Sequence, residues 1–192
     1  MTSASSHRAL SAQDLAPLLE VTRRLAEPFD LMSMLAEVIK AAKQVLDAER
    51  GAVWLYDKTT NELVLRVATD IAPVRVPATT GLVGSCAQNR QLINVTDCYA
   101  DPRFNADLDR QSNYRTRCML TLPLIDHQNA LVGVLQVLNK RDSVFDVDDE
   151  VLATSLAAQC AVAIQRVQMT NALIESEKMR QELEMADRKS VV

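Results

Sequence analysis

The chain has 192 residues, of which 48% are hydrophobic and 24% are charged. These fractions are ordinary for globular proteins and exclude a disordered or collagen-like chain, and the length predicts one domain with an appendage. With 21 Lys and Arg residues against 25 Asp and Glu residues, the net charge of -4 offers no general attraction for nucleic acid or an anionic membrane.

No targeting or membrane-spanning segment is visible in the sequence. Residues 1–10 have no apolar core of a signal peptide, and the longest uncharged stretch, residues 151–165, is too short to cross a bilayer. The cysteines form no C-x-x-C pair, which predicts a reduced, cytoplasmic chain without disulfides. His7 and His127 are too few and too far apart for a histidine-based metal site. We therefore expect neither a metal nor a cofactor.

Two segments near the amino terminus have apolar residues at helical spacing. The first runs from Ser11 to Glu27 and ends before a proline, and the second runs from Asp30 to Leu46 and ends in the polar residues 47–50. Two β-rich runs follow at residues 51–56 and 62–69, joined by a polar turn. We expect a pair of helices followed by a β-hairpin.

The middle of the chain alternates short elements. Residues 74–77 and 92–95 predict short strands, and a short helix is predicted from Gly81 to about Asn89, with backbone N–H groups at its start that suit an anion. Residues 97–117 are polar and lack apolar periodicity, which predicts a long functional loop. Residues 119–124 and 130–138 then predict a second β-hairpin.

From Phe145 to about Arg188 the sequence predicts one helix of about 60 Å. Its apolar and small residues form a seam at positions 152, 156, 160, 163, 167, 172, 176, 179, 183 and 186. Because the helix is longer than the strands can cover, its second half must pack on something else. The order of elements predicts an α+β fold, in which an antiparallel sheet carries helices from both chain ends on one face.

The end of the last strand and the start of the last helix carry a recognisable pattern. Asn139 and Lys140 are followed by Phe145 and, after three more residues, by Asp149 and Glu150. This pattern resembles the N-K-F-D-E signature of GAF domains in cyclic-nucleotide phosphodiesterases and certain cyanobacterial adenylyl cyclases. The resemblance implies an ion pair between Lys140 and Asp149 that joins the strand end to the helix.

The resemblance also implies the GAF fold and a ligand site, with a short helix and a lid loop over the free face of the sheet. Backbone amides of Gly81, Leu82 and Val83 would receive the phosphate of a cyclic nucleotide, because a helix amino terminus favours an anion without a lysine. Residues 94–104 and 114–117 would form the lid. Polar contacts to base and ribose would come from Asp109, Ser112 and Thr116, with Asn105 as a weaker candidate.

Two positions depart from the family pattern and bear on the choice of base. Where the family often has an aromatic residue and then an aspartate, this chain has Thr69 and Asp70, so the stacking ring is absent. Gln136 replaces an acidic residue. Asp70 could accept hydrogen bonds from guanine, whereas Gln136 could serve either purine. The loss of one acceptor favours cyclic AMP slightly over cyclic GMP.

The resemblance implies a division of the chain into three parts. Residues 1–10 are expected to form a disordered tail, residues 11–168 a GAF sensor domain, and residues 169–192 a signalling helix and tail. This helix resembles the linkers that precede bacterial phosphatase, diguanylate cyclase or kinase modules. The chain is thus expected to be a regulatory domain, not an enzyme, that binds a cyclic mononucleotide, dimerises through its terminal helices and signals to an output domain outside this chain.

Other functions of the fold are less favoured. A bilin site requires a cysteine followed by histidine, whereas Cys118 precedes Met119, and neither histidine is placed for haem or iron. The sequence has no G-x-S-x-G motif or Walker loop, which argues against an enzyme. The strongest alternative is a ligand-free GAF module that dimerises through Leu18, Leu25 and the terminal helices. Dimerisation alone does not require the hydroxyl and carboxylate groups of residues 81–116.

Overall fold

A computed structural model describes residues 31–68 and 73–190, with side chains up to residue 185. The helix predicted from Ser11 to Glu27 and the tail at residues 1–10 lie outside the described residues. The elements in chain order are α1 (Leu31–Val45), β1 (Ala48–Asp57), β2 (Glu62–Ala68), β3 (Arg75–Pro77), α2 (Gly81–Asn89), β4 (Ile93–Val95), a 3-10 helix (Cys98–Ala100), α3 (Asp107–Ser112), β5 (Met119–Ile125), β6 (Leu131–Lys140) and α4 (Val147–Ser190).

The strands form a six-stranded antiparallel sheet in the order β3-β2-β1-β6-β5-β4. β1 and β6 pair at the centre, from Ala48 opposite Lys140 to Leu55 opposite Gly133. A side chain at Gly133 would bring its Cβ within 2.3 Å of the Trp54 carbonyl oxygen, so the close approach of these strands requires glycine there. The predicted pair of β-hairpins is confirmed.

The helices α1 and α4 cover one face of the sheet, which confirms the predicted α+β architecture. Their apolar side chains pack with those of β1, β5 and β6 in one continuous core. Burial of this apolar surface is the main term that holds the helices on the sheet. The core residues from α1 are Leu35, Ile39 and Ala42, those from the strands include Val53, Leu120, Leu122, Leu135 and Val137, and those from α4 are Ala153, Ala157, Cys160, Ala161 and Ile164.

The buried face of α4 coincides only in part with the predicted seam. The seam residue Leu152 is 45% exposed, whereas its neighbour Ala153 is fully buried. Small residues such as Ala153 and Ala157 let α4 approach the sheet closely, whereas Val151 and Val162 are exposed. Other seam residues, Cys160 and Val167, are buried. Beyond Val167 the described side chains of α4 are exposed, as far as residue 185.

Two predicted loops contain regular structure. Residues 48–50, predicted as polar loop, belong to β1, because Ala48 and Arg50 pair with β6. The predicted long loop at residues 97–117 contains the 3-10 helix and α3. The carboxylate of Asp97 accepts a hydrogen bond from the Tyr99 amide and so starts the 3-10 helix. Tertiary pairing and local capping, which apolar periodicity does not report, decide both segments.

Candidate ligand-binding site

The face of the sheet opposite α1 and α4 carries a cavity of about 370 Å³. Strands β1, β2 and β6 form its floor, while α2 and the lid, which we define as residues 97–117, enclose its sides. This volume lies within the range of small-molecule sites, roughly 300 to 1,000 Å³. Much of the wall is apolar, and its larger side chains include Trp54, Leu65, Val76, Phe104, Leu108 and Leu138.

The fold brings together the predicted ligand-binding residues. All of those that the structure describes line this cavity, namely Gly81, Leu82, Val83, Asn105, Asp109, Ser112, Thr116 and Gln136. Thr69 and Asp70 lie outside the described residues, so their contact with the base stays a prediction. Residues from one strand, one helix and the lid thus converge on one site.

The amino terminus of α2 opens on the cavity. The first intrahelical hydrogen bond runs from the Gly84 amide to the Thr80 carbonyl oxygen, at 3.0 Å. The amides of Gly81, Leu82 and Val83 precede that bond, and the Thr80 side chain does not cap them. Gly81 has a φ of +70°, a conformation that favours glycine. This turn presents the positive end of the helix dipole to a ligand.

Asp109 holds separate parts of the lid together by hydrogen bonds. Its side chain is only 7% exposed and accepts hydrogen bonds from the Thr116 amide at 2.6 Å, the Thr116 hydroxyl at 2.7 Å and the Tyr99 hydroxyl at 3.0 Å. Ser112 donates to the Leu108 carbonyl oxygen within α3. These polar groups line the cavity and at the same time hold the lid in shape. Partial burial and the bond to Asp109 raise the pKa of Tyr99.

Gln136 is part of a buried polar group that includes Trp54. The Trp54 indole Nε1 donates to Gln136 Oε1 at 2.7 Å, and Gln136 Nε2 lies 3.4 Å from Thr121 Oγ1. Trp54 is 3% exposed and is the one tryptophan of the chain. Sequence analysis missed it and found no aromatic ring for the site. Strand alternation is the signal that could have found it, because Trp54 lies two residues from Ala52, which pairs with Gln136.

A basic side chain also lines the cavity, and sequence analysis missed it. The Arg50 guanidinium carbon lies 3.8 Å from the centre of the Tyr114 ring, in a cation–π contact. The Tyr114 hydroxyl donates to Glu49 at 2.7 Å, and Arg117 and Asn139 also donate to that carboxylate. Burial acts to raise the pKa of Glu49, but the hydrogen bonds from Tyr114 and Asn139 and the charge of Arg117 outweigh it, and the pKa is lowered.

The predicted ion pair between Lys140 and Asp149 is confirmed. Lys140 Nζ lies 2.5 Å from Asp149 Oδ2, and this hydrogen bond raises the pKa of Lys140. The Asp149 carboxylate also accepts from the Asp146 amide at 2.9 Å, while the Asp149 amide donates to Asp146 Oδ1 at 3.1 Å. Asp146 and Asp149 thus form a reciprocal cap on the start of α4. The pair fastens the end of β6 to this cap.

The other residues of the predicted signature also lie beside the cavity, not in it. Asn139 adopts a φ of 55°, and its Oδ1 accepts from the Arg117 amide at 2.6 Å. Phe145 is buried in the core under α4, and Glu150 accepts a hydrogen bond from Asn94 at 2.9 Å. Their contacts join the lid, β6 and α4. None of the five residues of the pattern lines the cavity.

The cysteine thiols of the chain are buried. All four cysteines are unpaired and buried, and burial raises the pKa of Cys86, Cys98 and Cys160 to about 12, which keeps these thiols protonated. Within residues 31–68 and 73–190, no group of three His, Cys, Asp or Glu side chains could hold a metal ion. No helix in the described part of the chain is long and apolar enough to cross a membrane.

The sequence pattern that defines the GAF domain matches residues 30–164. The chain belongs to the GAF domain family. It is 27% identical over 166 residues to a dual 3',5'-cyclic-AMP and -GMP phosphodiesterase 11A of Takifugu rubripes, covering 79% of this chain and 18% of that protein. It is 30% identical over 178 residues to a probable 3',5'-cyclic phosphodiesterase, pde-5, of Caenorhabditis elegans, covering 84% of this chain and 24% of that protein.

Solved structures share this GAF fold. The GAF domain of a phosphoenolpyruvate-protein phosphotransferase from Coxiella burnetii superimposes with a TM-score of 0.68 at 20% identity, covering 82% of this chain and 96% of that chain. A free methionine-R-sulfoxide reductase from Neisseria meningitidis has a TM-score of 0.63 at 21% identity, covering 86% of this chain and 98% of that chain. At these identities the likeness extends to the fold alone. The chain spans less than a quarter of the phosphodiesterases described above.

Proposed function

We propose that this GAF domain is a regulatory sensor, not an enzyme, that binds a cyclic mononucleotide without a metal or cofactor. The cavity of about 370 Å³ carries the proposal, because it combines the α2 amino terminus, Arg50 and an apolar wall in one site. The GAF domain is similar in sequence to segments of proteins named as cyclic-nucleotide phosphodiesterases, which supports this class of ligand. Residues 169–192 would then form the signalling helix and tail, leading to an output domain outside this chain.

The charges around the cavity suit an anionic ligand. The α2 amino terminus supplies three backbone donors, and Arg50 supplies a positive side chain. The negative side chains are already engaged, since Asp109 accepts three hydrogen bonds within the lid and Asp107 pairs with Arg110. In the proposed complex the phosphate lies at the amides of residues 81–83. The purine then lies against the apolar wall near Trp54.

We propose that cyclic AMP is preferred over cyclic GMP. Guanine presents two N–H donors on its Watson–Crick edge and needs an acceptor opposite them. Among the described residues of the wall, the carboxylate of Asp109 is occupied by three donors and Gln136 Oε1 by the Trp54 indole. Adenine does not need a carboxylate acceptor opposite this edge. The preference is small, because Asp70 remains a candidate acceptor.

Isothermal titration with cyclic AMP and cyclic GMP tests the proposal directly. We expect binding tighter than the millimolar range, with cyclic AMP the tighter ligand, and much weaker binding of adenosine, which lacks the phosphate. Trp54 supplies a second readout, because a ligand against the one tryptophan of the chain changes its fluorescence. A Trp54→Phe variant must lose the fluorescence signal. If neither cyclic nucleotide binds below the millimolar range, the proposal is wrong.

The second candidate, a ligand-free interaction module, is favoured by a different observation. Large apolar side chains are exposed along α4, among them Val151, Val162, Met169, Leu173 and Leu183. Val162, Met169 and Leu183 are separated by multiples of seven residues, a register that would let two copies pair in a parallel coiled coil. We propose this homodimer for the sensor as well. The sensor and the module therefore differ in ligand binding, not in assembly.

Light scattering tests the dimer. We expect the full chain to be a dimer and a chain that ends at Gln168 to become a monomer, unless the segment from Ser11 to Glu27 also contributes. The matched variant is Leu173→Ser within the full chain, which changes one exposed apolar position and leaves the domain core intact. A monomeric full chain would contradict the proposed assembly. A dimer that binds no cyclic nucleotide would favour the interaction module.

A further inference from the structure

The segments that flank and end the lid, at Asn94 before it and at residues 115–117 within it, are both connected by hydrogen bonds to the region where α4 begins. At the leading end, Asn94 lies on β4, three residues before the lid. Its side-chain Nδ2 donates to the Phe145 carbonyl oxygen at 3.0 Å and to Glu150 Oε1 at 2.9 Å. Phe145 immediately precedes the capping residue of α4, and Glu150 lies in its first turn. We name this contact the leading tie.

The trailing end of the lid reaches the same region through β6. Asn139 Oδ1 accepts from the amides of Arg117 and Cys118, and Asn139 Nδ2 donates to the Arg115 carbonyl oxygen at 2.9 Å. The next residue, Lys140, forms the ion pair with Asp149. We name this chain of contacts the trailing tie. The two ties reach adjacent residues of α4, Glu150 and Asp149.

The amide of Asn94 is used in only one orientation. Both of its neighbours are acceptors, so Nδ2 must face Phe145 and Glu150. Its Oδ1 is then buried with no hydrogen-bond donor in reach in the described part of the chain. A buried acceptor without a partner loses its hydrogen bond to water and destabilises the folded state. A residue held at such a cost points to a requirement for the leading tie beyond simple packing.

We propose that Asn94 is a positioning residue that couples the lid to α4, and that the leading and trailing ties act together. The inference rests on the proposed function, because it concerns how a bound ligand changes α4. One tie would fix the first turn of α4 to the lid segment at a single point. Two ties, one to each end of the lid, set the orientation of the turn. A shift of the lid over a ligand therefore reaches the start of α4 through both.

Hydrogen exchange with and without cyclic AMP tests this coupling. In the wild-type chain we expect the ligand to slow exchange both in the lid and in residues 147–156. In Asn94→Asp the new carboxylate faces Glu150 and cannot donate to it, so the leading tie is lost. The ligand should still protect the lid, because it contacts the lid directly in the proposed complex. The protection of residues 147–156 should fall about fivefold, a typical size for coupling between sites. Affinity for cyclic AMP, measured by titration, should change much less than this protection.

Three further variants keep the result interpretable. In the double variant Asn94→Asp with Glu150→Gln, the glutamine amide donates to the new carboxylate, so protection of α4 should return. Glu150→Ala removes the same contact from the partly exposed side of the helix and should also uncouple α4, whether or not Asn94→Asp folds. Asn89→Asp, at an exposed site, is the control for the added charge and should behave like the wild type.

The outcomes separate the two proposals. If the wild-type chain binds no cyclic nucleotide, the proposed function is wrong and this inference is overturned with it. If the wild type binds and both Glu150→Ala and Asn94→Asp keep full protection of α4, the proposed function stands and the role of Asn94 is wrong. Equal loss of protection in the lid and in α4 would show a general loosening of the fold and would also contradict the coupling.

Discussion

The two faces of the sheet differ in what they bury, although the same strands build them. On β6, Leu135 and Val137 point into the core under α1 and α4, while Gln136 between them points into the cavity. One face is filled with apolar side chains, and the other keeps a cavity and buries polar groups such as Asp109. Strand alternation thus lets one sheet serve stability on one side and binding on the other.

The largest expected effect comes from a matched pair of leucines on the two faces. Leu122→Ala removes a side chain from the filled core and should cost about 4 kcal/mol of unfolding free energy. Leu65→Ala, at the wall of the cavity, should cost about 2 kcal/mol, because an open space already borders that side chain. Urea denaturation measures both. Only Leu65→Ala should weaken cyclic-nucleotide binding, and equal behaviour of the two variants would contradict this contrast.

The next effect concerns the buried carboxylate of the cavity face. Asp109→Ala leaves the Tyr99 hydroxyl and both donors of Thr116 without their acceptor, and should cost about 3 kcal/mol and abolish ligand binding. Thermal unfolding and titration measure these losses. Glu177→Ala is the control, since this exposed carboxylate pairs with Arg180 on α4, does not line the cavity, and should leave both the melting temperature and the affinity unchanged. A harmless Asp109→Ala would show that the lid does not need its internal bonds.

A substitution at the junction between the end of β6 and the start of α4 should have a smaller effect. Asp149→Ala removes the partner of Lys140 and half of the helix cap, and should cost about 2 kcal/mol. Binding should weaken although Asp149 does not line the cavity. Asp148→Ala, one residue earlier and exposed, controls for the loss of a negative charge in the first turn. Unchanged affinity and melting temperature in Asp149→Ala would argue against a role for the pair.

The smallest effect is a dependence on pH. The pKa of Glu49 is lowered in the folded protein, since the hydrogen bonds from Tyr114 and Asn139 outweigh the effect of burial. Its stabilisation is therefore present above the unfolded pKa, about 4.3, and is lost as pH falls through the lower folded value. Glu49→Gln should lose less than about 1 kcal/mol at pH 7, since the side chain is 36% exposed. The two stability curves should converge in acid, and parallel curves would contradict this.

Local signals predicted the elements that depend on neighbours in the sequence. The turn residues between β1 and β2 and the glycine at the start of α2 predicted those elements nearly in full. The start of β1 was missed, because Ala48 and Arg50 become strand only through pairing with β6. The seam predicted on α4 was right only in part, because Cys160 and Val167 are buried while Leu152 is exposed and its small neighbour Ala153 packs on the sheet instead. The helix α3 was missed, since apolar periodicity does not report a helix with one short polar turn.

The sequence by itself determined the order of elements and the α+β class, and the resemblance at residues 139–150 implied the family and the ion pair of Lys140 with Asp149. Only the tertiary structure decided that Trp54 and Arg50 line the cavity, that Asp109 and Thr116 bind each other, and that Asn94 reaches Glu150. The physical reason is the distance along the sequence over which each kind of signal acts. Propensity and periodicity act over a few residues, whereas the contacts of Trp54 and Asn94 join residues far apart in the chain. Asp109 and Thr116 are only seven residues apart, but apolar periodicity does not report a hydrogen bond between two polar side chains of a loop.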